Sequence, residues 1–231
     1  MIFSANWFTS WFMWISYLPY LTLTIFALKH LNVTPQTVPS RAYAIAMGIT
    51  ALLWLMQVQI DAGHLHGMSY HLLGLNLVAL MLGLPAAFLL GSAWLLMFGI
   101  LRHGSDFLSV FALNGMAIIL PTCFINALFR YLTQRFLPKQ VFIYIFVNAF
   151  LASAFGMLAT GLVVCSLLHS ADVFSGSIVW QAAFPVFFLL TWGEAFLSGI
   201  GAAICVAFKP ELLQTFDDAI YLKRQNSIWR D

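Results

Sequence analysis

The sequence predicts an all-α membrane protein of seven transmembrane helices, with the N-terminus outside and the C-terminus in the cytoplasm. Three observations lead there. Of the 231 residues, 62% are apolar and only 8% charged, where a soluble domain carries about a quarter of its residues charged. That much apolar surface needs lipid as its solvent. Apolar runs long enough to cross a hydrocarbon core, about 20 residues each, recur along the chain. The cations then fall almost entirely on one side of the topology those runs define.

The first span, 7–28, follows a segment without Lys or Arg. It lacks the basic flank of a cleaved secretory signal and is expected to be retained. Met1 is expected to persist too, because Ile2 is too bulky to favour its removal, leaving a free amine beside the membrane. The second span is 42–60. The third and fourth, 68–82 and 86–101, lie in a run of 34 residues, about 51 Å as one helix, too long for a single crossing. Gly83-Leu84-Pro85 supplies the break. Spans 107–132, 141–168 and 177–208 follow, so residues 1–208 form the transmembrane domain and 209–231 a short cytoplasmic tail.

With this orientation the cytoplasmic side receives Lys29, Arg41, Arg130, Arg135, Lys139, Lys209, Lys223, Arg224 and Arg230, and the outer side only Arg102. Merging the third and fourth spans would send the 130–139 cluster and the tail outside, against the positive-inside rule. The same orientation gathers His64, His66, His71, His103 and His169 at the outer side, with Asp61, Asp106 and Asp172. His30 alone falls inside.

The densest chemical constellation is Asp61-Ala-Gly-His-Leu-His-Gly-Met-Ser-Tyr-His71. Neutral imidazole suits nickel, cobalt, zinc and copper, and Gly63 and Gly67 let the backbone turn such ligands inward. His71 is expected about one turn into the third helix, with His64 and His66 on the preceding loop. That third span has 15 residues, about 22 Å. It is expected to begin below the outer surface, so that the His loop dips inward. Short, Gly/Pro-interrupted spans point to binding sites in transporters.

Glu194 is the second oddity, an acid in the apolar run 184–208. It lies about 22 Å along a helix from Lys209, a depth at which a carboxylate marks a functional site or a structural acid that is protonated or paired with Asn or Arg. Asn76, Asn114, Asn126 and Asn148 are its candidate hydrogen-bond partners. His103 and Asp106, in the outer loop 102–106, could add ligands or orient them.

Other classes are excluded or less favoured. The net charge of +2, without a basic cluster, offers no grip on nucleic acid. No GxxxxGK[ST], HExxH or GxSxG motif occurs, so the chain carries no phosphate loop and no protease or hydrolase site of those kinds. Energy for active transport would come from a partner or an ion gradient. Cys123, Cys165 and Cys205 sit inside apolar runs without CxxC spacing and read as small buried residues. The competing functions are a membrane cytochrome with haem held by His71 and His103, and an assembly factor without cargo.

Three motifs carry a resemblance. Gly67-Met-Ser-Tyr-His-Leu-Leu-Gly74, with Leu82-Gly-Leu-Pro85 after it, resembles a GTSGHLLG…LLGP segment. Gly104 to Pro121, containing Ala112-Leu-Asn-Gly-Met-Ala117, resembles GGLTALGANxxNMA, and Gly193-Glu-Ala-Phe-Leu-Ser198 resembles GEGLIT. All three belong to the CbiM/NikM family, the substrate-binding membrane components of energy-coupling-factor transporters for cobalt and nickel. The resemblance implies a transport component rather than an enzyme. Its cargo would be a divalent metal taken up at the extracytoplasmic face, with no cofactor held permanently. It also implies a bacterial cytoplasmic (inner) membrane, a membrane coupling subunit and a cytoplasmic ATPase pair. Family members hold the metal with the N-terminal amine, a His at position two and the His of GHLLG. Met1 and His71 match the first and third, but Ile2 stands at position two. His64 or His66 is therefore expected to supply the missing ligand, which brings zinc in beside nickel and cobalt. Glu194, His103, Asp61 and Asn114 are the expected supporting groups.

Overall fold

In a computed structural model of the chain, residues 2–31, 39–60, 65 and 67–221 are described, without the side chains of 218 and 219. The fold is almost wholly helical. The main helices in chain order are α1 (Ser10–Lys29), α2 (Ser40–Leu55), α3 (Leu75–Leu82), α4 (Leu84–His103), α5 (107–136), α6 (Val141–Ser170) and α7 (Gly176–Phe208). A small antiparallel hairpin, β1 (Val58–Gln59) and β2 (Ser69–Tyr70), links α2 to α3. Among the described residues four stretches are long and apolar enough to cross a membrane: α1, Leu84–Phe136, α6 and α7.

The packing is that of a protein whose solvent is lipid. On α7 the buried stripe is Thr191, Glu194, Ala195, Ser198, Gly199 and Ala202. The opposite stripe exposes Phe188, Leu189, Trp192, Phe196, Ile200 and Ile204. The 3.6-residue period is intact, but its polarity is the reverse of a water-soluble helix, with small and polar residues inside and large apolar ones out.

Two expected spans are corrected. The second ends as a helix at Leu55 rather than residue 60, because the chain passes into β1. The third is helical only over Leu75–Leu82, not from residue 68. Met68 to Tyr70 are taken up by the hairpin, where the amide of Ile60 donates to Met68 O at 2.9 Å. Residues 71–74 stay non-helical, ending at Gly74 with φ 67°, a conformation that favours glycine. All eight residues of α3 are buried, so this short helix is enclosed by protein on every side.

The break at Gly83-Leu84-Pro85 is present. Gly83 has φ 85°, and α4 starts at the next residue. A Cβ on Gly91 would lie 2.8 Å from the Leu75 side chain. Residues 75 and 91 are equidistant from Gly83, so α3 and α4 fold back on each other as a tight hairpin. A second hairpin follows at Gly104, where the ring of Phe107 occupies the space a side chain on Gly99 would need. Pro121 and Pro185 lie inside helices, where proline lacks an N–H and crowds the carbonyl four residues earlier. Those carbonyls, of Ala117 and Gln181, fall in the wider π turns Gly115–Ile119 and Val179–Ala183, which take up the misfit.

The segment after α7 returns to the bundle. The amides of Gln214 and Thr215 donate to Met81 O and Leu80 O, both at 3.2 Å, giving partners to carbonyls at the C-terminal end of α3. Leu212, Leu213 and Phe216 are buried there. Gly99→Ala should lower the thermal unfolding midpoint of the detergent-purified protein, since its Cβ would meet the Phe107 ring. Gly48→Ala has nothing within 4 Å of the new methyl and should not lower it.

Candidate metal centre

The site is built on the unwound segment 71–74. Its peptide groups have lost the partners a helix would give them, and unpaired donors buried in an apolar interior cost about 1–3 kcal/mol each. Glu194 supplies the acceptor. Its carboxylate receives Leu73 N in a short bond and Gly74 N at 3.0 Å. Glu194 is 2% exposed, and α7 brings it there from 121 residues away in sequence. Ser153 of α6 donates to Glu194 O at 2.9 Å and approaches Oε2 at 3.4 Å, and Ser198 donates to Ser153 at 3.0 Å. Trp54 of α2 closes the other side, donating from Nε1 to Leu73 O at 3.2 Å.

Glu194 thus pairs with backbone amides and a serine, not with the asparagines. Asn126 donates to Asn76 Oδ1 at 2.7 Å, and Asn76 donates to the carbonyls of Asn148 and Ala149 at 3.3 and 3.0 Å. Those carbonyls belong to the π turn Tyr144–Leu151. Asn114 holds the N-terminal segment: Phe3 N donates to its Oδ1 at 2.7 Å, and its Nδ2 donates to Phe3 O at 3.3 Å. Ile2 and Phe3 are buried in the same apolar cluster as Trp54, Met68, Tyr70 and Leu73. Trp7 meets Phe174 edge-on with centroids 5.7 Å apart, and its ring lies 3.4 Å from where a Cβ on Gly67 would sit.

His71 is 3% exposed and lies beneath Trp54, ring centroids 4.6 Å apart. It sits not one turn into a helix, as the sequence suggested, but on the irregular segment that Glu194 and Trp54 hold. Its Nδ1 lies 3.0 Å from Leu72 O. A carbonyl only accepts, so Nδ1 carries the proton and Nε2 the lone pair. Nε2 is buried and has no hydrogen-bond partner among the described residues. A ring fixed by one nitrogen leaves the lone pair of the other open to a ligand.

Met1, His64, His66 and Asp61 lie outside the described residues. His103 is half-buried at the end of α4, its ring stacked on Phe107 at 6.3 Å. Among the described residues no group of three or more His, Cys, Asp or Glu comes together, so His103 forms no such cluster with His71. Asn114 acts on the N-terminal segment. Sequence reasoning missed Trp54, an apolar residue inside an apolar span, and Ser153, one small polar residue among many.

The chain matches the family described as CbiM, cobalt uptake substrate-specific transmembrane region, over residues 3–212. No curated protein and no solved structure matches it. Glu194→Ala leaves two buried amides without an acceptor and should destabilise the purified protein by about 2–5 kcal/mol, whereas Glu194→Gln keeps an acceptor oxygen and should lose less. Thermal unfolding in detergent reads the difference.

Proposed function

The chain belongs to the CbiM family of cobalt-uptake transmembrane proteins, and on that footing we propose that it is the metal-capture component of an energy-coupling-factor importer. Membership makes it a membrane component of cobalt or nickel uptake and a transport component rather than an enzyme. The observation that carries the finer reading is the bare, buried Nε2 of His71. A soft, neutral nitrogen donor enclosed by protein suits a divalent transition metal stripped of its water.

The remaining ligands are read from the resemblance: the Met1 amine, with His64 or His66 in place of the histidine that the family carries at position two. Ile2 is buried among apolar residues and cannot ligate. The ligand set therefore differs from the family's, and zinc stands beside nickel and cobalt as cargo. Asn114 supports the amine's role by clamping the peptide of Phe3 two residues away. Glu194 is a positioning residue that acts through the backbone before α3.

The metal enters from the extracytoplasmic face in this reading, which takes the bundle as seven spans with the N-terminus outside. The tail 209–231 lies in the cytoplasm of a bacterial inner membrane. Support comes from the cation distribution, nine Lys and Arg on one side against Arg102 on the other. Transport against a gradient is driven by a cytoplasmic ATPase pair through a membrane coupling subunit, since the chain has no phosphate-binding loop of its own.

Protein purified from cells supplemented with cobalt, nickel or zinc should carry metal by elemental analysis, and His71→Ala should reduce that content to background. Unchanged content in a folded His71→Ala protein would remove His71 from the ligand set. Asn114→Ala should weaken retention by about tenfold, the usual scale for groups that orient a ligand, while leaving His71 in place.

A further inference from the structure

At the end of the bundle opposite His71, α1 and α5 converge on the start of α4. There they border a half-open polar chamber of about 320 Å³ whose lining includes His30, Gly83, Arg130, Gln214 and Thr215. Leu84 and Pro85 line this chamber and also a second, almost wholly apolar cavity of about 200 Å³. The two therefore meet at the first turn of α4. Each flanking helix runs from one cavity into the other along a single face. On α1 the face is Leu23, Phe26 and Ala27 in the groove, then His30 in the chamber. On α5 it is Leu120, Cys123 and Ala127, then Arg130. Spacings of three, four and seven residues put these side chains in line.

Arg130 is the unusual member. It is half-buried, yet among the described residues it makes no ion pair and no hydrogen bond. The phenols of Tyr144 and Tyr221 lie near enough to act on it electrostatically, and free phenols are neutral near pH 7. A guanidinium that lines a polar pocket with none of its donors taken up by a described residue is matched to a phosphate. The same end of the molecule carries Lys29, Arg41, Arg135, Lys139 and Lys209. From Arg130 back to Leu120 is about 15 Å along the helix, half the roughly 30 Å of a hydrocarbon core and so the depth of one leaflet.

We propose that this double cavity is a binding site for an anionic phospholipid, with its phosphate against Arg130 and an acyl chain in the groove between α1, α4 and α5. The shared chemistry is a phosphate anion, and the apolar groove favours a lipid over a free ion. Basic pockets between membrane helices hold anionic headgroups by the same logic. The lipid would bridge α1 to the α3–α4 turn, where Gln214 and Thr215 secure the end of α3.

Native mass spectrometry of the full-length, detergent-purified protein tests this, using phosphatidylglycerol and phosphatidylcholine with identical acyl chains, and inorganic phosphate separately. The unmodified protein should hold phosphatidylglycerol about tenfold more tightly than phosphatidylcholine, one charge-assisted contact's worth. Arg130→Gln should abolish that preference, and Arg130→Lys should keep part of it. Ala127→Trp, which fills the groove, should weaken retention of phosphatidylglycerol. Equal binding of the two lipids by the unmodified protein would overturn the proposal without any appeal to variants. So would inorganic phosphate that displaces phosphatidylglycerol at comparable concentration with Ala127→Trp having no effect, because the site would then serve a free anion.

Discussion

Everything at the proposed metal site depends on one buried carboxylate. Glu194 has no cation beside it among the residues described. Instead it answers two peptide N–H groups, those of Leu73 and Gly74. A helix through residues 68–82 would have satisfied those amides internally and left the Glu194 carboxyl buried without these donors. The unwound segment and the acid therefore explain each other. Irregular backbone at membrane depth is tolerated where protein encloses it, and here Trp54, Ser153 and Glu194 form the enclosure. His71 inherits its orientation from that arrangement, with Nδ1 turned to Leu72 O and Nε2 left bare.

The helix that follows, α3, transmits this constraint across the protein. Its N-terminal approach is fixed by Glu194, and its C-terminal carbonyls are met by the amides of Gln214 and Thr215. Asn76, in its first turn, is tied through Asn126 to α5 and through its own amide to the π turn of α6. A short helix buried on all sides and held at both ends is a physical connection between the His71 segment and the face where the chain after α7 folds back. A subunit that moved residues 212–216 would act on α3 directly.

The sequence made some of this legible and hid the rest for identifiable reasons. The apolar excess and the break at Gly83 follow from composition and from proline and glycine chemistry, which are local. The burial of His71 and the singularity of Glu194 were also readable, since each is a polar residue in an apolar setting. The start of α3 was not. Leu72, Leu73 and Leu75 carry good helix propensity, and what prevents helix there is an acceptor 121 residues distant together with a left-handed Gly74. The asparagines were assigned to the wrong partner for a related reason. A carboxylate prefers peptide donors fixed in place, while amides that both donate and accept can satisfy one another. Helix α2 stops at Leu55 because 58–60 pair with 68–70, a contact no local pattern in an apolar span announces.

The central claim is that Nε2 of His71 is a metal-ligating atom. X-ray absorption at the metal edge of the cobalt-loaded protein examines that atom most directly. The account predicts the multiple-scattering signature of imidazole in the metal's nearest shell, weakened in a folded His71→Gln protein loaded at a cobalt concentration high enough to occupy its remaining ligands. A spectrum with the same imidazole signature in both proteins would contradict it.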